Sequence, residues 1–231
     1  MKKISFVVLI VFSFLACKSN DDIVTKQPQN YNILSLGDSY TIGQGVCDTC
    51  GYPEQLRDSL ATKFNIEDTF SLKVIAQTGW TTTNLINAIN EENLTFDYDL
   101  VTLLIGVNNQ FQGRPFETFE IEFNDLVNTS IALAKGDKNK VLIITIIDYA
   151  NTGFGQNFGG SDITDDITLY NTYIQNYCNQ NNLNLVDAQN LIFTGLTHPE
   201  LIASDNLHPS ELAYSNLVTQ LLPLANEILI E

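Results

Sequence analysis

Ile33-Leu34-Ser35-Leu36-Gly37-Asp38-Ser39-Tyr40 is an apolar run that ends in a glycine, an acid and a serine. The run reads as a buried strand, and Gly37-Asp38 as the turn that leaves it. A serine on that turn has its hydroxyl at the carboxyl edge of a sheet, where open α/β folds build their sites. Outward from this stretch, apolar runs alternate with helical patterns. Strands are predicted at residues 31–36, 72–76, 100–105, 141–147 and 183–186. Helices are predicted at 52–65, 82–92, 115–135, 164–180 and 209–230. In the first helix, Pro53 suits the opening turn and Leu56, Leu60 and Phe64 recur along one face. The 100–105 run is apolar throughout, as a strand covered on both faces should be. In 164–180 the inward stripe is Ile167, Tyr170, Ile174 and Cys178, which makes Cys178 a buried thiol. This alternation specifies a three-layer α/β/α sandwich with a flavodoxin-like, five-stranded parallel sheet. The long loops 43–51 and 148–162 both follow strands, so they should share the edge that carries Ser39.

The bulk properties set the class. A chain of 231 residues holds one domain plus an export segment. A formal charge of −16 argues against nucleic acid, whose phosphates demand clustered Lys and Arg. Residues 1–17 read as a targeting segment: Lys2 and Lys3 precede an apolar stretch too short for an ordinary membrane span. The stretch ends in Phe14-Leu15-Ala16-Cys17, which resembles the lipobox of bacterial lipoproteins, with Phe14 where Leu is usual. That resemblance implies lipidation at Cys17, attachment to a bacterial membrane through it alone, and a periplasmic or cell-surface location. Residues 18–30 then form a polar linker, and 31–231 the folded domain.

Several residue groups bear on chemistry. Asp205-Asn206-Leu207-His208 places an acid three residues before a histidine. A nucleophilic serine needs a base, and the base needs an acid to orient it. The other histidine, His198, is the rival base but lacks such an acid. Cys47 and Cys50 lie in a glycine-flanked loop, where an exported chain favours a local disulfide over a zinc site short of ligands. Asp162, Asp165 and Asp166 match no calcium loop and read as an acidic first helical turn.

Three blocks follow the first three strands in order, Gly37-Asp38-Ser39, Gly79 within Gln77-Thr78-Gly79-Trp80, and Gly106-Val107-Asn108-Asn109, and a fourth, Asp205 to His208, precedes the last helix. Together they resemble the blocks of the SGNH hydrolases, the GDSL esterases and lipases, across about residues 30 to 231. The resemblance implies that Ser39 is the nucleophile, His208 the base and Asp205 its orienting acid. It implies an oxyanion hole made by the Ser39 and Gly79 N–H groups and the Asn108 amide, and no metal or organic cofactor. The family pattern often ends its third block in Asp, where this chain has Asn109. Trp80, Asn109, Gln110, Phe111 and Tyr149 are expected to line the substrate pocket, with Arg114, Phe154 and Phe158 as further candidates. The expected activity is hydrolysis of small carboxylic esters, with acetyl groups on carbohydrate favoured. The alternatives are a lysophospholipase or thioesterase, a surface lipoprotein that binds without turnover, and a flavodoxin-like phosphate binder. Asp38 weakens the last, since an acid in the loop repels phosphate.

Overall fold

The computed structural model describes residues 27–230. The targeting segment, Cys17 and most of the linker lie outside the described residues. Among the described residues, five strands pair in parallel: β1 (Asn30–Gly37), β2 (Thr69–Ala76), β3 (Leu100–Leu104), β4 (Val141–Ile144) and β5 (Asn184–Val186). Their order across the sheet is β2-β1-β3-β4-β5. The chain therefore reverses its direction of winding between β1 and β3. Such a switch point opens a crevice at the carboxyl ends of the strands.

Among the described residues, eight α-helices flank the sheet: α1 (Ser39–Ile42), α2 (Tyr52–Ala61), α3 (Thr82–Glu91), α4 (Val107–Phe111), α5 (Phe116–Leu133), α6 (Gly153–Phe158), α7 (Ser161–Asn181) and α8 (Glu211–Ile230). Helix α2 packs on α8, while α3 packs on α5. Aromatic rings join α5 to α7, with Phe119 and Tyr170 centroids 4.6 Å apart. Every residue of β3 and β4 is buried, as strands covered on both faces must be. The result is the three-layer α/β/α sandwich with a five-stranded parallel sheet.

Several boundaries differ from those read in the sequence. β2 starts at Thr69 rather than residue 72, because polar Thr69 and Ser71 pair with β1 on an edge where periodicity is weak. β4 stops at Ile144 although the apolar run continues. There the Asn171 side chain takes over the ladder, accepting from Ile146 N and donating to Ile146 O, each at 2.8 Å. Helix α2 ends at Ala61, where the Thr62 hydroxyl bonds the Ser59 carbonyl. The 148–162 segment is not an open loop; it holds α6 and the start of α7. Helices α1, α4 and α6 are too short to show periodicity.

A buried polar chain ties the turn that carries Ser39 to the sheet. Thr102 Oγ1 donates to Ser35 Oγ at 2.9 Å, and the Tyr52 hydroxyl sits 3.1 Å from Thr102 Oγ1 and 3.4 Å from Thr41 Oγ1. Thr41 belongs to α1, so this chain fixes α1 over β1 and β3. Buried hydroxyls that are mutually satisfied stiffen a core; one left alone would cost about 1–3 kcal/mol.

Candidate active site

Gly37, Ala76 and Leu104 are level with one another across β2, β1 and β3. Ser39, Gly79 and Asn108 follow shortly beyond that level. Ser39 opens α1, and the Asp38 carboxylate caps it by accepting Tyr40 N–H at 3.0 Å. Gly79 has φ +85°, a backbone that L side chains rarely adopt, which is why glycine stands there. Asn108 lies in α4, after β3. His208 precedes α8 in a turn closed by an Ile202–Pro209 bridge and by Ala203 N–H bonding the His208 carbonyl at 2.8 Å.

These residues meet at one cavity of about 210 Å³. Its lining includes the polar residues Ser39, Thr78, Asn108 and His208 and the backbone of Gly79. The rest of the lining is apolar or aromatic: Tyr40, Val107, Phe111, Tyr149, Phe154 and Leu207. The His208 Nδ1 lies 2.7 Å from Asp205 Oδ2. Asp205 Oδ1 accepts the backbone N–H groups of Leu207 and His208, each at 3.0 Å. Burial pushes the Asp205 pKa up, but these N–H groups and the ring outweigh it and hold the carboxyl below its ordinary range. The Tyr40 and His208 rings meet in a T-shaped arrangement, with centroids 5.7 Å apart. With Nδ1 engaged, the other ring nitrogen is available for proton transfer. Among the described residues no hydrogen bond joins the Ser39 hydroxyl and the His208 ring; such contacts are often long in a free enzyme and tighten around substrate.

The Asn108 amide is oriented by donation from Nδ2 to the Trp80 carbonyl at 3.0 Å. An amide nitrogen carries two hydrogens, so one remains for a ligand. Phe111, Phe154 and Phe158 form an aromatic cluster at the rim, where Phe154 and Phe158 stack 4.2 Å apart.

Three of the expected pocket residues do not line the cavity. Trp80 contributes its carbonyl to Asn108 and packs its ring against the core. Asn109 is buried and turned away: Oδ1 accepts Thr82 N–H at 3.0 Å and Nδ2 donates to the Thr82 hydroxyl at 2.7 Å. Gln110 stands behind the wall, accepting from the Tyr149 hydroxyl at 2.8 Å and donating to Asp166 at 3.0 Å. That hydroxyl's pKa is pushed up to about 12, chiefly by burial and then by Asp148 and Asp166. Among the described residues the Arg114 side chain bonds Gln112 alone, and Phe158 packs on Phe111 and Phe154 at the rim. His198 is mostly exposed, pairs with Glu200 at 3.1 Å and is not among the lining residues. Tyr40, Thr78, Val107 and Leu207 line the cavity unforeseen. The only signal for them was adjacency to the block residues. Cys47 and Cys50 are joined, with Cα atoms 5.0 Å apart, and Cys178 is a buried free thiol.

Comparison with known proteins accords with this architecture. The chain is similar to a lipase/acylhydrolase from Enterococcus faecalis at 21% identity, with TM-score 0.65 over 85% of this chain and 96% of that one. It is similar to Axe2, an acetylxylan esterase from Geobacillus stearothermophilus, at 20% identity, with TM-score 0.64 over 86% and 95%. The psychrotrophic esterase EstA from Pseudoalteromonas sp. matches at 16% identity, with TM-score 0.61 over 87% and 99%. At these identities the likeness is one of fold. No curated protein matches the chain. The sequence model of the GDSL-like lipase/acylhydrolase family matches residues 35–215, from the strand before Ser39 to the helix after His208. The chain thus belongs to the GDSL-like lipase/acylhydrolase family and is a carboxylic ester hydrolase.

Proposed function

We propose that this hydrolase works through an acyl-enzyme on Ser39 and removes short acyl groups, acetyl foremost, from carbohydrate or similar small esters. His208 takes the Ser39 proton as Oγ attacks the ester carbonyl carbon. The carbonyl π electrons move to oxygen, which the Ser39 and Gly79 N–H groups and the Asn108 amide stabilise. The tetrahedral intermediate collapses, the C–O bond to the alcohol breaks, and His208 returns its proton to the leaving oxygen. Water repeats the sequence, releasing the carboxylic acid and restoring Ser39. Asp205 fixes the imidazole tautomer and stabilises the imidazolium. No metal or organic cofactor enters the cycle.

The observation that carries this reading is the shared cavity, whose lining brings Ser39, Gly79, Asn108 and His208 together with apolar and aromatic side chains. An ester bound there would turn its carbonyl toward Ser39, Gly79 and Asn108, with Tyr149, Phe111 and Phe154 left for its apolar face. Aromatic faces of this kind suit a sugar ring, in line with the acetylxylan esterase among the similar folds. Val107 and Leu207 favour a second reading, a lipolytic or thioesterase-type enzyme with a longer acyl chain.

A fluorophosphonate is expected to label the protein but not Ser39→Ala; EstA is described as inhibited by a related reagent, monoethylphosphonate. Hydrolysis of p-nitrophenyl acetate should fall at least about 10³-fold in Ser39→Ala and His208→Ala and survive in His198→Ala. Asn108→Ala should cost about 10²- to 10³-fold. Unlabelled protein with an active Ser39→Ala variant would remove the acyl-enzyme. A preference for octanoyl over acetyl esters would move the assignment to the second reading. We also propose export and anchoring through Cys17, on the strength of Phe14-Leu15-Ala16-Cys17. Palmitate labelling that persists in Cys17→Ala would overturn that.

A further inference from the structure

The loop between α1 and α2, residues 43–51, touches three parts of the site. Gln44 N–H donates to the Ser39 carbonyl at 3.0 Å. Gln44 Oε1 accepts the Thr78 hydroxyl at 2.7 Å, one residue before Gly79. Gly45 lies against the acid: a Cβ built there would stand 2.8 Å from Asp205 Oδ2, the oxygen that holds the His208 ring. The same Cβ would meet Ala203 Cβ at 2.9 Å, and Gly45 has φ +89°. The Cys47–Cys50 disulfide closes the far end of the loop, where Cys50 N–H bonds the Cys47 carbonyl at 2.9 Å. Gln55 Nε2 anchors that end, donating to the Cys50 carbonyl at 2.7 Å and to the Glu211 carbonyl of α8 at 3.2 Å.

We propose that this disulfide-closed loop positions the catalytic machinery, with Gly45 backing Asp205 and Gln44 holding the Thr78-Gly79 turn. The inference rests on the roles assigned above to Ser39, Asp205 and His208. The loop is mostly exposed, with Val46 its one side chain packed on the core cluster. A segment with so little burial does not hold one conformation without help, since each ordered residue costs about 1–2 kcal/mol of backbone entropy. The disulfide removes part of that cost by restricting the open forms. The Asp205 side chain is itself one-third exposed, so its orientation depends on the backbone behind it. Opening the staple takes two electrons: a dithiol reduces the S–S bond to two thiols and becomes a cyclic disulfide.

The test is steady-state hydrolysis of p-nitrophenyl acetate by the full folded domain, its fold checked by far-UV CD. Gly45→Ala should lower kcat about ten- to a hundred-fold, as expected for a small displacement of a catalytic group, with KM nearly constant. The acid limb of its kcat/KM profile should move to lower pH, because an imidazolium that loses its carboxylate gives up its proton more easily. Gln44 is exposed, so Gln44→Ala should fold; about a tenfold loss of kcat is expected. Gln44→Glu keeps an acceptor for the Thr78 hydroxyl and should recover most of it. Dithiothreitol should slow the wild type, while the Cys47→Ser/Cys50→Ser variant should be slow already and insensitive to it. Wild-type kcat and pH profile in Gly45→Ala and Gln44→Ala would overturn the proposal, as would equal losses in Gln44→Ala and Gln44→Glu. A reduced protein at full rate would remove the disulfide from it. Residual full activity in Ser39→Ala would instead overturn the underlying mechanism, so the two failures are distinct.

Discussion

Asp38 is expected to make the protein less stable as pH rises from acid to neutral, and Asp38→Asn should abolish that loss. The side chain is 1% exposed; Oδ1 accepts Tyr40 N–H, while Oδ2 has no partner among the described residues. Burial pushes its pKa from an ordinary 3.8 up to about 7, although the Tyr40, Asp38 and Gly106 N–H groups offset part of the rise. A carboxyl whose folded pKa exceeds its unfolded value holds its proton more tightly when folded. Its contribution is therefore most favourable below about pH 4, declines through the window to about pH 7, and is flat beyond. The slope inside that window is about 1.4 kcal/mol per pH unit. Between about pH 5 and about pH 8.5, the loss comes to about 3 kcal/mol, a large share of a typical total of about 5–15 kcal/mol. The amide introduced by Asp38→Asn would carry no charge and would still offer an oxygen to Tyr40 N–H. Comparing variant with wild type at each pH cancels the general repulsion of an acidic chain. The assay is urea unfolding followed by far-UV CD at both pH values. The variant should gain about 3 kcal/mol on the wild type between the two. If their difference is the same at both pH values, or grows toward acid, the carboxylate is not penalised by burial and the reasoning fails.

Asn109→Asp should destabilise the fold by about 1–3 kcal/mol at neutral pH, measured by the same unfolding assay. The Thr82 hydroxyl now receives from Asn109 and donates to Glu122, and its single proton cannot serve two carboxylates. Adding Glu122→Gln to Asn109→Asp should restore most of the loss; a neutral or stabilising Asn109→Asp would refute the arrangement. Phe111→Ala should raise KM for an acetylated oligosaccharide about tenfold while changing kcat little, because the ring lines the cavity yet is 45% exposed at its rim. An unchanged KM in initial-rate measurements would mean that the ring does not meet substrate.

Local signals determined much of this protein. The strand, turn and serine at Ile33 to Ser39, and the later blocks around Gly79, Asn108 and His208, were legible because each occupies consecutive residues. The alternation of apolar runs fixed a parallel sheet because strands covered on both faces have no polar side to show. The edge strand β2 and the short helices were less legible, since exposure or brevity erases the period. Only the tertiary structure decided which side chains face the cavity. Asn108 and Asn109 are neighbours in sequence, yet successive residues of a helix point about 100° apart, and one lines the cavity while the other bonds Thr82. Trp80 likewise offers its carbonyl rather than its ring. The seating of Gly45 against Asp205 joins residues far apart in the chain through backbone shape alone. A contact made by packing leaves no periodic trace in the sequence, so it emerges only when the chain has closed on itself.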